Sequence, residues 1–292
     1  MQADPGYLQH FEMEVNMKKK KIKKALVAIV LLIVLMIILT PLFWGISLSF
    51  DRRAVTNLPE FSLIPHEPST FNYEVAWKNV PLARYYLNTL FLTAVNTVLS
   101  VFFAMMCGYA FAKGKFAFKN FWFIFMLAVM MIPFESRMIP LYIQYKNWGM
   151  LNTYFPLIFG SFAYVYGVFF SRQNIAAIPD SLRESAFLDG AGEWTIFLRI
   201  IIPLSKPLIA TLSILQVLAQ WNSYLWPMIV LRSREKQVIS VGVAMFNAQQ
   251  ENQVIYGPKL AVAVISAVPL TIVFLFLQKY IVQSIALSGV KQ

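Results

Sequence analysis

The chain has 292 residues, 58% of them apolar and only 13% charged, with a mean hydropathy of +0.60. Soluble domains run at about 45–50% apolar and about 25% charged, which excludes a single water-soluble globule and makes this a membrane protein. The net charge of +11 does not mark a nucleic-acid binder, because much of it is one lysine run placed directly before an apolar stretch.

That run, Lys18-Lys19-Lys20-Lys21-Ile22-Lys23-Lys24, closes an N-terminal tail over residues 1–24. The first apolar stretch, Ala25–Phe50, is longer than the roughly 7–15 residues of a signal-peptide core, and Ser47-Leu48-Ser49-Phe50 is a poor cleavage site. It reads as a retained anchor. Five further stretches have about the 20 mainly apolar residues a bilayer core needs: Tyr86–Ala112, Phe121–Tyr142, a shorter Tyr154–Ser171, Pro207–Leu231 and Leu260–Ile281. Lys and Arg are retained on the cytoplasmic side, and placing the N-terminus there leaves 15 of the 25 inside. The expectation is an all-α, polytopic membrane protein with six transmembrane helices and both termini cytoplasmic. Residues 51–85, with four prolines, and 232–259 become extracytoplasmic loops. Residues 86–292 become a core whose only long inner connection is the loop 172–206.

Polar residues inside spans are costly and often functional. Asn88, Thr89, Asn96 and Thr97 lie in the second stretch; Gln216, Gln220, Trp221, Asn222 and Tyr224 lie in the fifth. Amides beside flat rings suit the two faces of a sugar, so Gln216, Gln220, Trp221, Asn222, Tyr224, Asn88 and Asn96 are candidates for a translocation path. Hydrogen bonding between helices is the competing reading of the same residues. Pro133 and Pro140 are expected to break or kink the third stretch. Glu135 and Arg137 between them read as interfacial and solvated, or else as lining a cavity. Trp122, Trp148 and Trp226 fall near expected interfaces, as an aromatic belt would place them. Cys107 is alone, and His10 and His66 are far apart, so no disulfide or metal site is expected.

The inner loop carries the sharpest local signal. Asp180 or Ser181 is a good N-cap after Pro179, and if Ser181 caps, Glu184 completes a capping box; a helix runs through Leu182, Ala186 and Leu188, and Gly190 and Gly192 are expected to end it. A second helical piece, Trp194–Ile202, leads to Pro203. Glu184-Ser185-Ala186, then three residues, Gly190, nine residues and Ile200-Ile201-Ile202-Pro203 resemble the Glu-Ala-Ala/Gly/Ile-x-Leu-Pro loop of ABC-importer permeases. Ser185 and Ile202 depart from the pattern without changing its spacing. Met131-Ile132-Pro133, Ile139-Pro140-Leu141-Tyr142, Gly149–Tyr154 and Trp221–Pro227 look like the carbohydrate-uptake branch. Gly289-Val290-Lys291 is similar to the tail of the smaller permease of maltose-type importers. The likeness covers roughly residues 80–292, and residues 1–17 carry no recognisable motif.

The resemblance implies a type I ABC importer permease of a bacterial inner (cytoplasmic) membrane, carrying a sugar or oligosaccharide. Its implied partners are a second homologous permease, two ATP-binding subunits, an extracytoplasmic solute-binding protein and membrane lipid. Glu184, Ser185, Ala186, Asp189, Gly190, Ile200 and Pro203 would couple to the ATPase, with Glu184 facing a basic residue there. Gly289 and Lys291 would be a tail contact. A helix cap is the plainer reading of Glu184. ATP and Mg would sit on the partner ATPase, and this chain would bind no cofactor. In maltose-type importers only the larger permease makes the defined sugar site, which the smaller-type resemblance would withhold from this chain.

No phosphate-binding Gly-x-x-x-x-Gly-Lys-Ser/Thr loop and no catalytic constellation occur, so the chain is not expected to be an enzyme. A permease for another small solute such as an amino acid remains an alternative. A gradient-driven secondary transporter would need buried carboxylates or broken helices at mid-membrane, and the span centres hold amides rather than acids. Cationic residues in the outer segments raise an anionic saccharide as the cargo, or simply contacts with the binding protein and lipid headgroups.

Overall fold

The computed structural model describes residues 5–55, 59–249 and 256–289. The helices are, in order, α1 (Pro5–Ser49), α2 (Phe71–Asn79), α3 (Leu82–Lys113), α4 (Lys119–Val129), α5 (Phe134–Asn147), α6 (Phe155–Phe159) and α7 (Val165–Ala176). They continue as α8 (Asp180–Leu188), α9 (Glu193–Ile196), α10 (Ile202–Leu204), α11 (Lys206–Trp221), α12 (Leu225–Val230), α13 (Ile239–Gln249) and α14 (Tyr256–Gly289). Among the described residues β pairing is confined to an isolated antiparallel bridge between Asp51 and Pro68.

Three of these helices are long and apolar enough to cross a membrane: α1 from Lys20, α3, and α14 as far as Phe276. Two more spans arise only if bent pairs are counted, α4 with α5 turning through 93° and Glu193–Leu204 with α11 turning through 80°. The expected stretches three, four and five are therefore each interrupted. The third breaks at Met130–Pro133 because proline lacks an N–H and pushes the residue before it out of the helical region. Pro140 does not break anything and lies inside α5. The fourth is α6, a short 3-10 turn and α7; the fifth stops at Trp221 and resumes at Leu225.

Both expected outer loops hold more structure than their prolines and charges suggested. Residues 51–85 contain α2 and the first turn of α3. Residues 232–259 contain α13, whose Ile239, Val241 and Phe246 are buried, because the run from Val238 is apolar enough to pack rather than stay in water.

The chain forms two compact units, residues 1–76 with 253–264 and residues 77–252 with 265–292. In the first, every side chain of α1 from Lys20 to Ile38 is exposed, leaving an apolar rod that the fold itself does not cover. The end of α1 is tied down by polar contacts. The Asn72 amide donates to the carbonyls of Leu48, Ser49 and Asp51 at 3.4, 3.1 and 2.8 Å. The buried Asp51 carboxylate accepts backbone N–H bonds from His66 at 2.8 Å and Arg53 at 3.0 Å.

In the second unit α3 is the hub. Its buried residues, from Leu82 through Leu92, Asn96, Ser100 and Met105 to Tyr109, follow three- and four-residue spacing along one face. Close approach to α7 depends on Gly108, where a Cβ would come within 2.3 Å of the Ser171 Cβ. Toward Lys113 the core is Val101, Met105, Tyr109, Ile175, Ile196, Phe197, Ile201 and Leu212. Toward Leu82 it is Leu92, Leu157, Val230, Leu231, Val238 and Val241.

Candidate functional site

Two features stand out in the second unit: the loop after α7 and a cavity among the broken helices. The loop begins at Pro179, which caps α8 with φ −58° and ψ 136° and makes no side-chain capping bond. The expected capping box from Ser181 to Glu184 is absent. Pro179 starts the helix ahead of Ser181, so Ser181 lies within it and its carbonyl accepts the Ser185 hydroxyl at 2.7 Å. Asp180 instead accepts from Lys113 Nζ at 2.7 Å, and that ammonium holds its carboxyl below the usual carboxylate range.

Gly190 ends α8 as expected, in the left-handed region at φ +80°. The Ala191 N–H bonds the Ala186 carbonyl at 2.9 Å and the Gly190 N–H bonds the Phe187 carbonyl at 3.0 Å, the paired pattern of a Schellman stop. Gly192 does not end this helix. It is extended and opens α9, its carbonyl accepting the Ile196 N–H at 3.1 Å. The second piece then passes through one π turn, Phe197–Ile201, before α10.

No residue of α8 is buried. Glu184, Ser185, Asp189, Gly190 and Pro203 are exposed, while Ala186 and Ile200 pack against the core cluster around Phe197. Leu182, Phe187 and Leu188 are exposed beside them, Leu188 at 89%. The short helix thus presents an uncovered apolar and acidic face. Its placement depends on residues that the motif does not contain. Arg183 bonds one oxygen of Glu193 and the Tyr109 hydroxyl donates to the other. Lys113 Nζ also donates to the Ile178 carbonyl at 2.6 Å. Opposite charges at 183 and 193 flanking a glycine stop were the available signal for the first pair. The partners on α3 had none, because they lie over 60 residues away.

The cavity has a volume of about 440 Å³, within the range of about 300–1,000 Å³ usual for small-molecule sites. Phe134, Gly160, Ser161, Ala163 and Ser223 bring all three helix breaks to its wall. Arg137, Tyr145, Phe159, Gln220 and Trp226 complete much of the rest.

Of the expected path residues, Gln220 lines this cavity. Asn96 and Gln216 are committed elsewhere. Asn96 donates to Gln220 Oε1 at 2.9 Å and accepts from Ser161 at 3.2 Å; Ser100 donates to the Ser161 carbonyl at 2.7 Å and accepts from Gln216 at 3.1 Å. This row ties α3, the 3-10 turn and α11 together, which is the competing reading of those amides. Asn88 donates to the carbonyls of Glu235 and Gln237, both at 2.8 Å. Trp221 is buried, its indole N–H on the Ser266 carbonyl at 3.1 Å and its ring edge-on to Tyr86. Asn222 is exposed and bonds the Leu218 carbonyl, and Tyr224 is half-buried. Trp226, expected in an interfacial belt, faces the cavity and donates to the Pro156 carbonyl at 3.2 Å. Arg137, weighed as interfacial, also lines it. Gly289 is the last residue of α14, and Lys291 lies outside the described residues.

Comparison with known proteins agrees with this architecture. Residues 97–287 match the family described as the binding-protein-dependent transport system inner membrane component. An arabinooligosaccharide transport system permease protein of Halalkalibacterium halodurans is 35% identical over 247 residues, covering 85% of this chain and 84% of its own. A diacetylchitobiose uptake system permease protein of Streptomyces coelicolor is 29% identical, covering 85% and 83%. Among solved structures, a bacterial ABC transporter involved in import of the acidic polysaccharide alginate superposes with a TM-score of 0.79 at 25% identity, covering 90% of this chain and 97% of that one. With an exposed helix-turn-helix on one end of α3 and a cavity among interrupted apolar helices, the chain belongs to the family of binding-protein-dependent transport inner membrane components.

Proposed function

We propose that this chain is a permease subunit of an ATP-driven, binding-protein-dependent importer of a sugar or oligosaccharide. It forms half of the pathway in a bacterial inner membrane and hydrolyses nothing itself. Relatives named for arabinooligosaccharides, diacetylchitobiose and alginate support a saccharide without agreeing on which. The alginate transporter is also known in complex with a saccharide-bound periplasmic protein, which supports such a partner here. In this reading the chain crosses the membrane six times with both ends cytoplasmic, pairs with a second homologous permease, and carries two ATP-binding subunits beneath. The outer segments 51–85 and 232–259 meet the binding protein. ATP and Mg belong to the ATPases.

The observation that carries the coupling role is α8: a nine-residue helix with no buried residue, ending in a left-handed glycine stop. A helix that buries nothing of its own gains its apolar contacts from a neighbour, and Leu182, Phe187 and Leu188 are available for one. The glutamate at its centre is exposed and forms no ion pair among the described residues, so it is free to meet a basic group. The test is Glu184→Ala in the complete importer. Normal insertion with lost transport-coupled ATP hydrolysis is expected; wild-type sugar uptake would count against ATPase docking at this helix.

A further inference from the structure

We infer that this chain has a saccharide subsite of its own, the cavity among the three helix breaks, and that Arg137 selects a carboxylated sugar there. The inference rests on the importer reading above and departs from the expectation that a smaller-type permease leaves the sugar to its partner.

Irregular backbone is tolerated at membrane depth where it lines a cavity, and interrupted helices mark binding sites in several transporter folds. Here the chain breaks its helices at 130–133, 160–164 and 222–224, and residues in or beside each break line the same cavity. One interruption could be a proline accident. Three converging on one space expose backbone and small side chains, Gly160, Ser161 and Ser223, to that space.

The wall chemistry is that of a sugar site. Phe134, Tyr145, Phe159 and Trp226 offer ring surface to the C–H faces of a pyranose. Gln220 and Ser223 offer polar groups to its hydroxyls. The Gln220 carbonyl oxygen is already taken by Asn96, which turns the residue toward donation from its amide N–H groups.

Arg137 gives the class. Its Nε is buried with no hydrogen-bond partner, and it has no ion pair among the described residues. No carboxylate lines the cavity. Arg137 is half-buried, and the Nε end of its guanidinium is shut off from water in an aromatic-walled space with no acceptor, which leaves that N–H uncompensated. A carboxylate on the ligand supplies the acceptor, with the planar, two-bond geometry arginine favours.

The test uses the complete importer in detergent, with a trisaccharide of hexuronic acid and its carboxyl-reduced, neutral counterpart as probes, and calorimetry as the readout. The wild type should bind the acidic sugar about tenfold tighter, the worth of one charge-assisted bond pair. Arg137→Gln should abolish that preference and leave neutral-sugar affinity within about twofold, and Arg137→Lys should keep part of it. Gly160→Leu is a second probe, because Gly160 lines the cavity and a Cβ there meets nothing within 4 Å; it should weaken both sugars alike. Equal wild-type affinity for the two sugars, or equal weakening of both by Arg137→Gln, would overturn the inference. So would loss of the second permease from the Arg137→Gln complex, which would make Arg137 a subunit contact. ATP-driven uptake of neutral sugar in proteoliposomes under any of those outcomes leaves the importer reading standing; no saccharide uptake at all overturns both.

Discussion

Arg183 and Glu193 are joined across the glycine turn, and Tyr109 on α3 donates to the same Glu193 carboxylate. One acidic side chain thereby gathers α8, α9 and the last turns of α3. Lys113, four residues beyond Tyr109, holds Asp180 and the Ile178 carbonyl at the other end of α8. A left-handed glycine stop alone would be a hinge. Braced at two points on one long helix, it moves with that helix, so a push on α8 is delivered to α3 and the helices packed on it.

The brace predicts a separation of stability from coupling. Arg183 and Glu193 are partly exposed, at 22% and 52%, and pairs of this kind contribute roughly 0–1 kcal/mol. Arg183→Ala and Glu193→Ala should each leave the melting temperature of the complex nearly unchanged while lowering sugar moved per ATP hydrolysed. The double variant should be no worse than either single one. Additive losses in coupled uptake would show that the two residues do not act together.

Gly190 and Gly192 should behave differently although they sit two apart. A side chain at the φ of +80° found at Gly190 costs about 1–2 kcal/mol, whereas Gly192 is extended at φ −78°. Neither Cβ would meet an atom within 4 Å, so backbone conformation alone separates them. Gly190→Ala is expected to reduce uptake with normal membrane insertion, and Gly192→Ala to retain it. Uptake assays beside a membrane-fraction blot decide the matter.

The amide row should prove structural rather than selective. Gln216→Leu removes its bond to Ser100, and hydrogen bonds between membrane helices contribute about 0.6 kcal/mol and at most about 1.7. Thermal unfolding in detergent should shift by that order, with the preference among sugars unchanged. A changed sugar preference would return Gln216 to the translocation path.

Asp51 should make the first unit sensitive to acid. Burial favours its neutral form, but backbone N–H bonds from His66 and Arg53, and the nearby Arg53 charge, outweigh this and leave its pKa below the ordinary value. A depressed carboxylate contributes stability that is fully present above the unfolded pKa of about 3.9 and is lost as pH falls through the lower folded value. Wild-type protein should therefore lose stability below about pH 4. Asp51→Asn, which leaves one N–H facing a donor, should be less stable at neutral pH by about 1–3 kcal/mol and show a flatter acid limb. Melting curves between pH 3 and 7 read both effects.

Much of the inner loop 172–206 was legible in order along the chain, because its determinants are local. Pro179, a short run of helix formers and Gly190 act within a few residues of one another. The capping box failed because Pro179 starts the helix ahead of Ser181, while the partner of Asp180, Lys113, lies on α3 and has no local signal. The broken spans were half legible. Pro133 announced the first break, but the interruptions at 160–164 and 222–224 carry no proline at the break and depend on how α6 and α12 pack.

Composition and hydropathy alone determined that this chain lives in a membrane and is helical, since burying apolar surface in lipid leaves the backbone few other choices. The proline and glycine positions, Pro179 and Gly190, determined where the short helix of the inner loop starts and stops. Only the folded chain decided which polar residues are structural and which face open space. Asn96 and Gln216 look identical to Gln220 in one dimension, and the cavity assembles Arg137, Gly160, Gln220 and Trp226 from four separate segments. Side-chain direction at that range is set by packing around α3, where Gly108 and its neighbours admit one close approach, and no local spacing rule encodes it.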